Sequence, residues 1–117
     1  MTTRFRFYRT AQRDTVREEL AALPAHGRAA VVEAMVRRRH DASLANEIKP
    51  IAGDILELRA TSGGQAFRLL FAAEGKGHVL LALVAFEKKT RKTPKATVDL
   101  AKRRLSDWRA SPPPDRQ

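Results

Sequence analysis

The residues best able to act on a charged substrate form one run, Glu87-Lys88-Lys89-Thr90-Arg91-Lys92-Thr93-Pro94. Ammonium and guanidinium groups attract polyanions, and a guanidinium fork matches the paired non-bridging oxygens of a phosphodiester. Upstream, Arg59 and Arg68 flank Ser62-Gly63-Gly64-Gln65. A Gly-Gly pair suits a two-residue hairpin loop with positive φ. With Gly63 and Gly64 as the loop, Arg59 falls directly opposite Arg68. Like charges opposed across strands are unfavourable. An anion must offset them, either an incoming phosphate or Glu57, which lies diagonal to Arg68. A next turn that sets Arg68 beside Val84 carries Phe86 and Lys88 onto the same face. The expected result is a cationic concavity bordered by a helix N-terminus at residues 93–95, where free backbone N–H groups favour a phosphate.

Such a site can cleave RNA without metal or histidine. The ribose 2′-OH attacks its own phosphate when the geometry is in line and the developing charge is stabilised. A lysine serves as base only if its pKa is lowered, and crowding of Arg59, Arg68, Lys88 and Lys89 acts in that direction.

The remaining chain narrows the choice. With 117 residues it forms one domain, expected over residues 1–110, with a flexible tail at 111–117. It contains no cysteine, which excludes disulfides, thiol nucleophiles and iron–sulfur clusters. His26, His40 and His78 are dispersed, and no metal-ligand spacing, nucleophile elbow or phosphate-binding glycine loop is present, so neither a metal nor a cofactor is expected. The start of the chain has no apolar signal region and no apolar run spans a bilayer, so a cytoplasmic protein is expected. The net charge is +10. From Phe86 onward there are 10 basic and 4 acidic residues, a surplus of 6. A field of this sign attracts nucleic acid.

The elements that must position the cations follow in order. Residues 4–9 alternate, with Phe5 and Phe7 on one side of a strand. Thr10 can cap a helix carrying Val16, Leu20 and Leu23. Pro24 and His26-Gly27 break it. A second helix is expected from about Arg28 to His40, with Val32, Met35 and Val36 inward and Arg37 to His40 at its cation-favouring end. Residues 42–53 read as a connector, extended around Pro50. Strands follow at 54–60, 65–73 and 79–86, the last apolar on both faces and therefore flanked by others. Thr93 as N-cap and Pro94 at the first position open a final helix, with Val98, Ala101, Leu105 and a buried Trp108 in one stripe. The order β-α-α-β-β-β-α makes an α+β domain: a small, mostly antiparallel sheet, an N-terminal helical hairpin and a C-terminal helix.

The segments Gly53-Asp54-Ile55-Leu56-Glu57-Leu58-Arg59, Phe67-Arg68-Leu69-Leu70-Phe71 and Phe86-Glu87-Lys88-Lys89-Thr90-Arg91-Lys92-Thr93-Pro94 together resemble the HigB-like, phage-derived branch of the RelE/ParE toxin superfamily. The resemblance covers residues 48–108 and implies a RelE-like fold. It also implies a toxin of a bacterial type II toxin–antitoxin system that cleaves mRNA in the ribosomal decoding site, leaving a cyclic phosphate. The implied partners are the ribosome, mRNA and a HigA-like helix-turn-helix antitoxin, with DNA reached only through the antitoxin and no membrane. Arg68 matches the arginine that stabilises the scissile phosphate, and Lys88 and Lys89 match the cationic pair after the last strand; these three are the implied catalytic residues. Arg59, Arg91, Lys92 and Lys95 are the candidate substrate-binding residues. The catalytic tyrosine or histidines of some relatives have no counterpart. The alternatives are a ParE-like toxin that inhibits gyrase without cutting, and a non-catalytic basic RNA-binding protein.

Overall fold

A computed structural model describes residues 2–111. The tail expected beyond Ser111 lies outside the described residues. The elements are β1 (Arg4–Phe7), α1 (Thr15–Ala22), α2 (Ala25–Arg39), β2 (Ile48–Ala52), β3 (Ile55–Ser62), β4 (Gln65–Glu74), β5 (Val79–Lys88) and α3 (Lys95–Ala110). One sheet holds all five strands in the order β1-β5-β4-β3-β2. β1 runs parallel to β5 and every other pair is antiparallel. The α+β class and the helical hairpin stand as expected. The connector, however, contains β2, an edge strand pairing Lys49 with Glu57. Pro50 is tolerated there because an edge strand leaves some N–H groups unpaired.

The sheet separates two apolar layers. On one face, Phe67 and Phe71 are fully buried under the helical hairpin with Val16, Leu20 and Val31. Each large side chain removed from water contributes roughly 2–3 kcal/mol. The other face, carrying Ile55 and Leu70, is partly covered by α3 through Ala101 and Leu105. The inward side of α2 is Gly27, Val31, Ala34 and Met35. Val32 and Val36 instead stand 44% and 43% exposed, reversing the expectation. The reason is a close approach: a Cβ on Gly27 would lie 2.3 Å from Phe67 Cζ. Only glycine lets α2 sit on that ring, and this rotates the valines outward. His26 and Gly27 therefore do not break the helix, which starts at Ala25.

Two further expectations fail locally. Thr10 does not cap α1; its hydroxyl accepts from Arg13 N–H in the preceding turn, 3.0 Å away. Trp108 is half-buried, on the rim of a cleft with Arg6 and Arg9.

β5 pairs with β1 only as far as Ala82, which leaves its outer edge open beyond that point. Side chains complete it. Arg104 donates to Leu83 O at 2.8 Å, Glu19 accepts from Ala85 N–H at 3.1 Å, and the two side chains pair at 2.8 Å. The hydrogen bonds of a missing strand are thus replaced by an ion pair joining α1 to α3.

Candidate active site

The hairpin between β3 and β4 is closed by Gly63 and Gly64, with φ of 59° and 77°, as a two-residue turn of this hand requires. The pairing therefore runs Ser62–Gln65, Thr61–Ala66, Ala60–Phe67 and Arg59–Arg68. The two guanidiniums face each other as the sequence indicates. On the other side Arg68 pairs with Phe86, not Val84. Two one-residue shifts make the difference: the turn takes in His78 as well, so that Glu74 pairs with Val79, and Leu83 is an extra residue in β5 that shifts the register between Leu70 and Phe71. Strand alternation still puts Arg59, Arg68, Phe86 and Lys88 on one face, the face of α3.

Arg68 is the most constrained of these groups. It is 5% exposed, while the Arg59 side chain is 36% exposed. Its Nη1 donates to its neighbour's carbonyl, Phe67 O, at 2.9 Å. Its Nε is buried and has no hydrogen-bond partner. Glu57 Oε1 lies 3.6 Å from that Nε and 3.9 Å from Arg59 Nε. Both distances are attractive electrostatically and too long for a hydrogen bond. Burial lowers the pKa of Arg68; Glu57 opposes the shift and Arg59 adds to it. A guanidinium stays protonated even so. One carboxylate thus serves two guanidiniums, and the structural ion pair and the excess positive charge coexist.

Glu57 also fixes the cationic turn. The Thr93 hydroxyl donates to Glu57 Oε2. Thr93 is therefore not the cap of α3; the N-cap position is Pro94, which makes no side-chain cap bond. Within the turn, Lys88 Nζ donates to Arg91 O at 2.6 Å and Thr90 to Lys92 O at 2.6 Å. Lys89, Arg91 and Lys92 are exposed, and among the described residues their side chains have no hydrogen-bond or ion-pair partner. Lys95, at the start of α3, is paired with Asp99 at 2.9 Å one helical turn on. That carboxylate raises its pKa, by hydrogen bond first and charge second.

The sequence reading missed the far wall of the site. Arg59, Thr61 and Arg68 line a cleft of about 300 Å³ together with Leu44, Ala45, Asn46 and Glu47. Glu47 holds this wall. It is buried, receives Arg37 through Nη2 at 2.7 Å and Nε at 3.1 Å, and accepts from Leu44 N–H at 3.2 Å. Its own carbonyl accepts from Arg59 N–H at 2.8 Å. Arg37, read as one of the cations at the end of α2, is thus a clamp. The available signal was Asn46, a residue that tolerates the left-handed conformation it adopts here, φ 63°.

A five-stranded sheet with a helical hairpin on one face, a C-terminal helix on the other and arginines on its floor is the RelE-like fold. The Escherichia coli toxin RelE, solved in the free state as an arginine-substituted mutant, superposes with a TM-score of 0.63. It is 12% identical, and the match covers 90% of this chain and 99% of that one. The toxin–antitoxin complex RelBE2 of Mycobacterium tuberculosis matches with a TM-score of 0.54 at 22% identity, over 75% of this chain and 100% of that one. The chain belongs to the family described as "Phage derived protein Gp49-like", whose model matches residues 18–106. It is 38% identical over 107 residues to "Probable endoribonuclease HigB1" of two Mycobacterium tuberculosis strains, covering 90% of this chain and 84% of the relative. The phage-derived, HigB-like branch read from the three motifs is the one the comparisons support.

Proposed function

We propose that this chain is the toxin of a bacterial type II toxin–antitoxin system, a metal-independent endoribonuclease that cuts mRNA on the ribosome and stops translation. The observation that carries this reading is Arg68: a buried guanidinium with an unpartnered Nε, set beside Arg59 on the floor of an open cleft. The Arg59–Arg68 pair carries more positive charge than Glu57 balances, and a phosphate in the cleft that both arginines line offsets it. The scissile phosphate sits over Arg59 and Arg68, which stabilise the charge that develops as the 2′-OH attacks phosphorus and the 5′-oxygen leaves. The products are a cyclic phosphate and a 5′-hydroxyl. Lys88 and Lys89 are the other catalytic cations. Lys88 holds the turn through Arg91 O, which leaves Lys89 as the cation free to meet the RNA. Arg91 and Lys92 hold the flanking backbone of the RNA, and Lys95, through its Asp99 pair, contributes less.

The relative named a probable endoribonuclease and the solved toxin–antitoxin neighbour support the same reading. The antitoxin would be HigA-like, with a helix-turn-helix that contacts DNA on the toxin's behalf, and the site of action cytoplasmic. Among the described residues no helix is long and apolar enough to cross a membrane. The test is induced expression in a bacterium with translation and plasmid supercoiling followed in parallel. Early loss of translation is expected. Early loss of supercoiling with intact mRNA would replace this reading by the gyrase-inhibiting one. Growth without either effect would leave a basic RNA-binding protein.

A further inference from the structure

Leu44 is the most exposed large apolar side chain among the described residues, at 59%. One exposed leucine is ordinary. This one stands at the mouth of the arginine cleft, on a wall that is fixed in place. Residues 41–47 leave α2 through left-handed Asp41 and Asn46, and the Arg37–Glu47 pair, Leu44 N–H and Arg59 N–H tie the wall to α2 and β3. Two polar groups line the same space. The Asn46 amide and the Thr61 hydroxyl are exposed and engage in no hydrogen bond among the described residues. The cleft, about 300 Å³, is at the small end of ligand pockets, which run roughly 300–1,000 Å³. It has room for one base beside a phosphate.

We infer that residues 44–46 and Thr61 form a base-reading lip. Leu44 covers the flat face of the nucleobase next to the phosphate held at Arg68, and the Asn46 amide and Thr61 hydroxyl hydrogen-bond its edge. This inference rests on the nuclease reading and deepens it. Apolar faces pack on bases of any sequence, whereas an amide presents a donor and an acceptor that fit some base edges and clash with others. The lip is built before substrate arrives, so little ordering opposes base binding. It is separate from the cations: Arg59 and Arg68 fix where the backbone lies, and the lip sets which base is accepted there.

The experiment maps mRNA 5′ ends in cells expressing the wild type, Leu44→Ala, Asn46→Gly and Asn46→Asp. Glycine keeps the positive φ of position 46 without strain and removes the amide; aspartate exchanges the donor for an acceptor and adds a negative charge beside the arginines, so the glycine variant isolates the lost base contact. Unfolding midpoints check that each variant is folded. The expected result is continued cleavage, with the ratio between the most and least favoured base at the cut changed roughly tenfold, the weight of one lost base contact. Cleavage by all three variants with the wild-type base ratio would overturn the inference and leave the nuclease reading intact. Loss of all cleavage in folded variants would also overturn it, since the lip would then be part of the catalytic machinery. Absence of cleavage by the wild type would remove the nuclease reading, and the lip with it.

Discussion

Arg59 and Arg68 stand directly opposite one another on adjacent antiparallel strands, and a single carboxylate, Glu57, serves both at 3.9 and 3.6 Å. The cluster keeps a net charge of +1 and one unmet donor in a largely buried place. A sheet arranged for stability alone would not hold two guanidiniums in register there, because the repulsion and the desolvation both oppose folding. A phosphate over the cleft relieves both. The same carboxylate receives Thr93, so the floor of the site and the cationic turn are mechanically joined.

The first expectation concerns the cost of that arrangement. Arg68→Met keeps the volume of the side chain, removes the orphaned Nε and leaves Glu57 with Arg59 and Thr93. Replacing a poorly satisfied buried charge by an apolar group is often neutral or stabilising. The variant should be inactive, and its unfolding free energy in urea should equal or exceed the wild type by up to about 1 kcal/mol. A loss of more than about 2 kcal/mol would mean that Arg68 is structural.

A pH dependence follows from Glu47. Its hydrogen bonds with Arg37 hold the carboxyl below the usual carboxylate range, against an opposing effect of burial. The folded state thus takes up this proton less readily than the unfolded chain. The stabilisation is complete above the ordinary glutamate value near pH ~4.3 and is lost as pH falls through the lower folded value. Urea unfolding of the wild type and Glu47→Gln should differ by about 2 kcal/mol at pH 7. The difference should shrink below pH ~4, and an unchanged gap at low pH would contradict the clamp.

Gly27 separates helix propensity from packing. In an exposed helix, glycine to alanine stabilises by roughly 1 kcal/mol. Here the added methyl meets the ring of Phe67 at 2.3–2.6 Å, within a core that cannot yield easily. Overpacking costs typically 1–3 kcal/mol. Gly27→Ala should therefore lower stability by about 1 kcal/mol or more, and Gly27→Ala combined with Phe67→Leu should recover part of it. Thermal unfolding of the single and double variants reads both.

Arg91 and Lys92 should act through charge alone. Each is exposed and unpartnered among the described residues. Replacing either by alanine should weaken RNA binding at all sequences alike and reduce the slope of log affinity against log salt by roughly 1. Lys95→Ala should do less, because Asp99 already neutralises it. A change in cleavage position without a change in salt slope would assign these residues a base-reading role instead.

Much of the site was legible because short-range rules set it. The Gly63-Gly64 turn fixes the β3–β4 register residue by residue, and Arg59 opposite Arg68 follows from it. The next register was not legible. β5 is apolar on both faces, so a slip by two residues leaves its pattern unchanged, and the extra Leu83 is invisible until the strand is paired. β2 was hidden because an edge strand with Lys49 and Pro50 lacks the apolar alternation of an inner one. The inward face of α2 was hidden because Gly27 and Ala34 carry little hydrophobic signal; the volume they leave is filled by Phe67 from another element. Thr93 has the chemistry of a cap, yet Glu57 competes for its hydroxyl across the fold. In each miss a tertiary partner outweighed a local preference.

The guanidinium of Arg68 is expected to stabilise the transition state of RNA cleavage. The most direct measurement is mapping of mRNA 5′ ends after induction of the wild type and of Arg68→Met, with and without a block to translation initiation. The expected result is cuts inside translated frames that disappear with the block and with the substitution, while the variant remains folded. Cuts that persist at the wild-type level in Arg68→Met would contradict it.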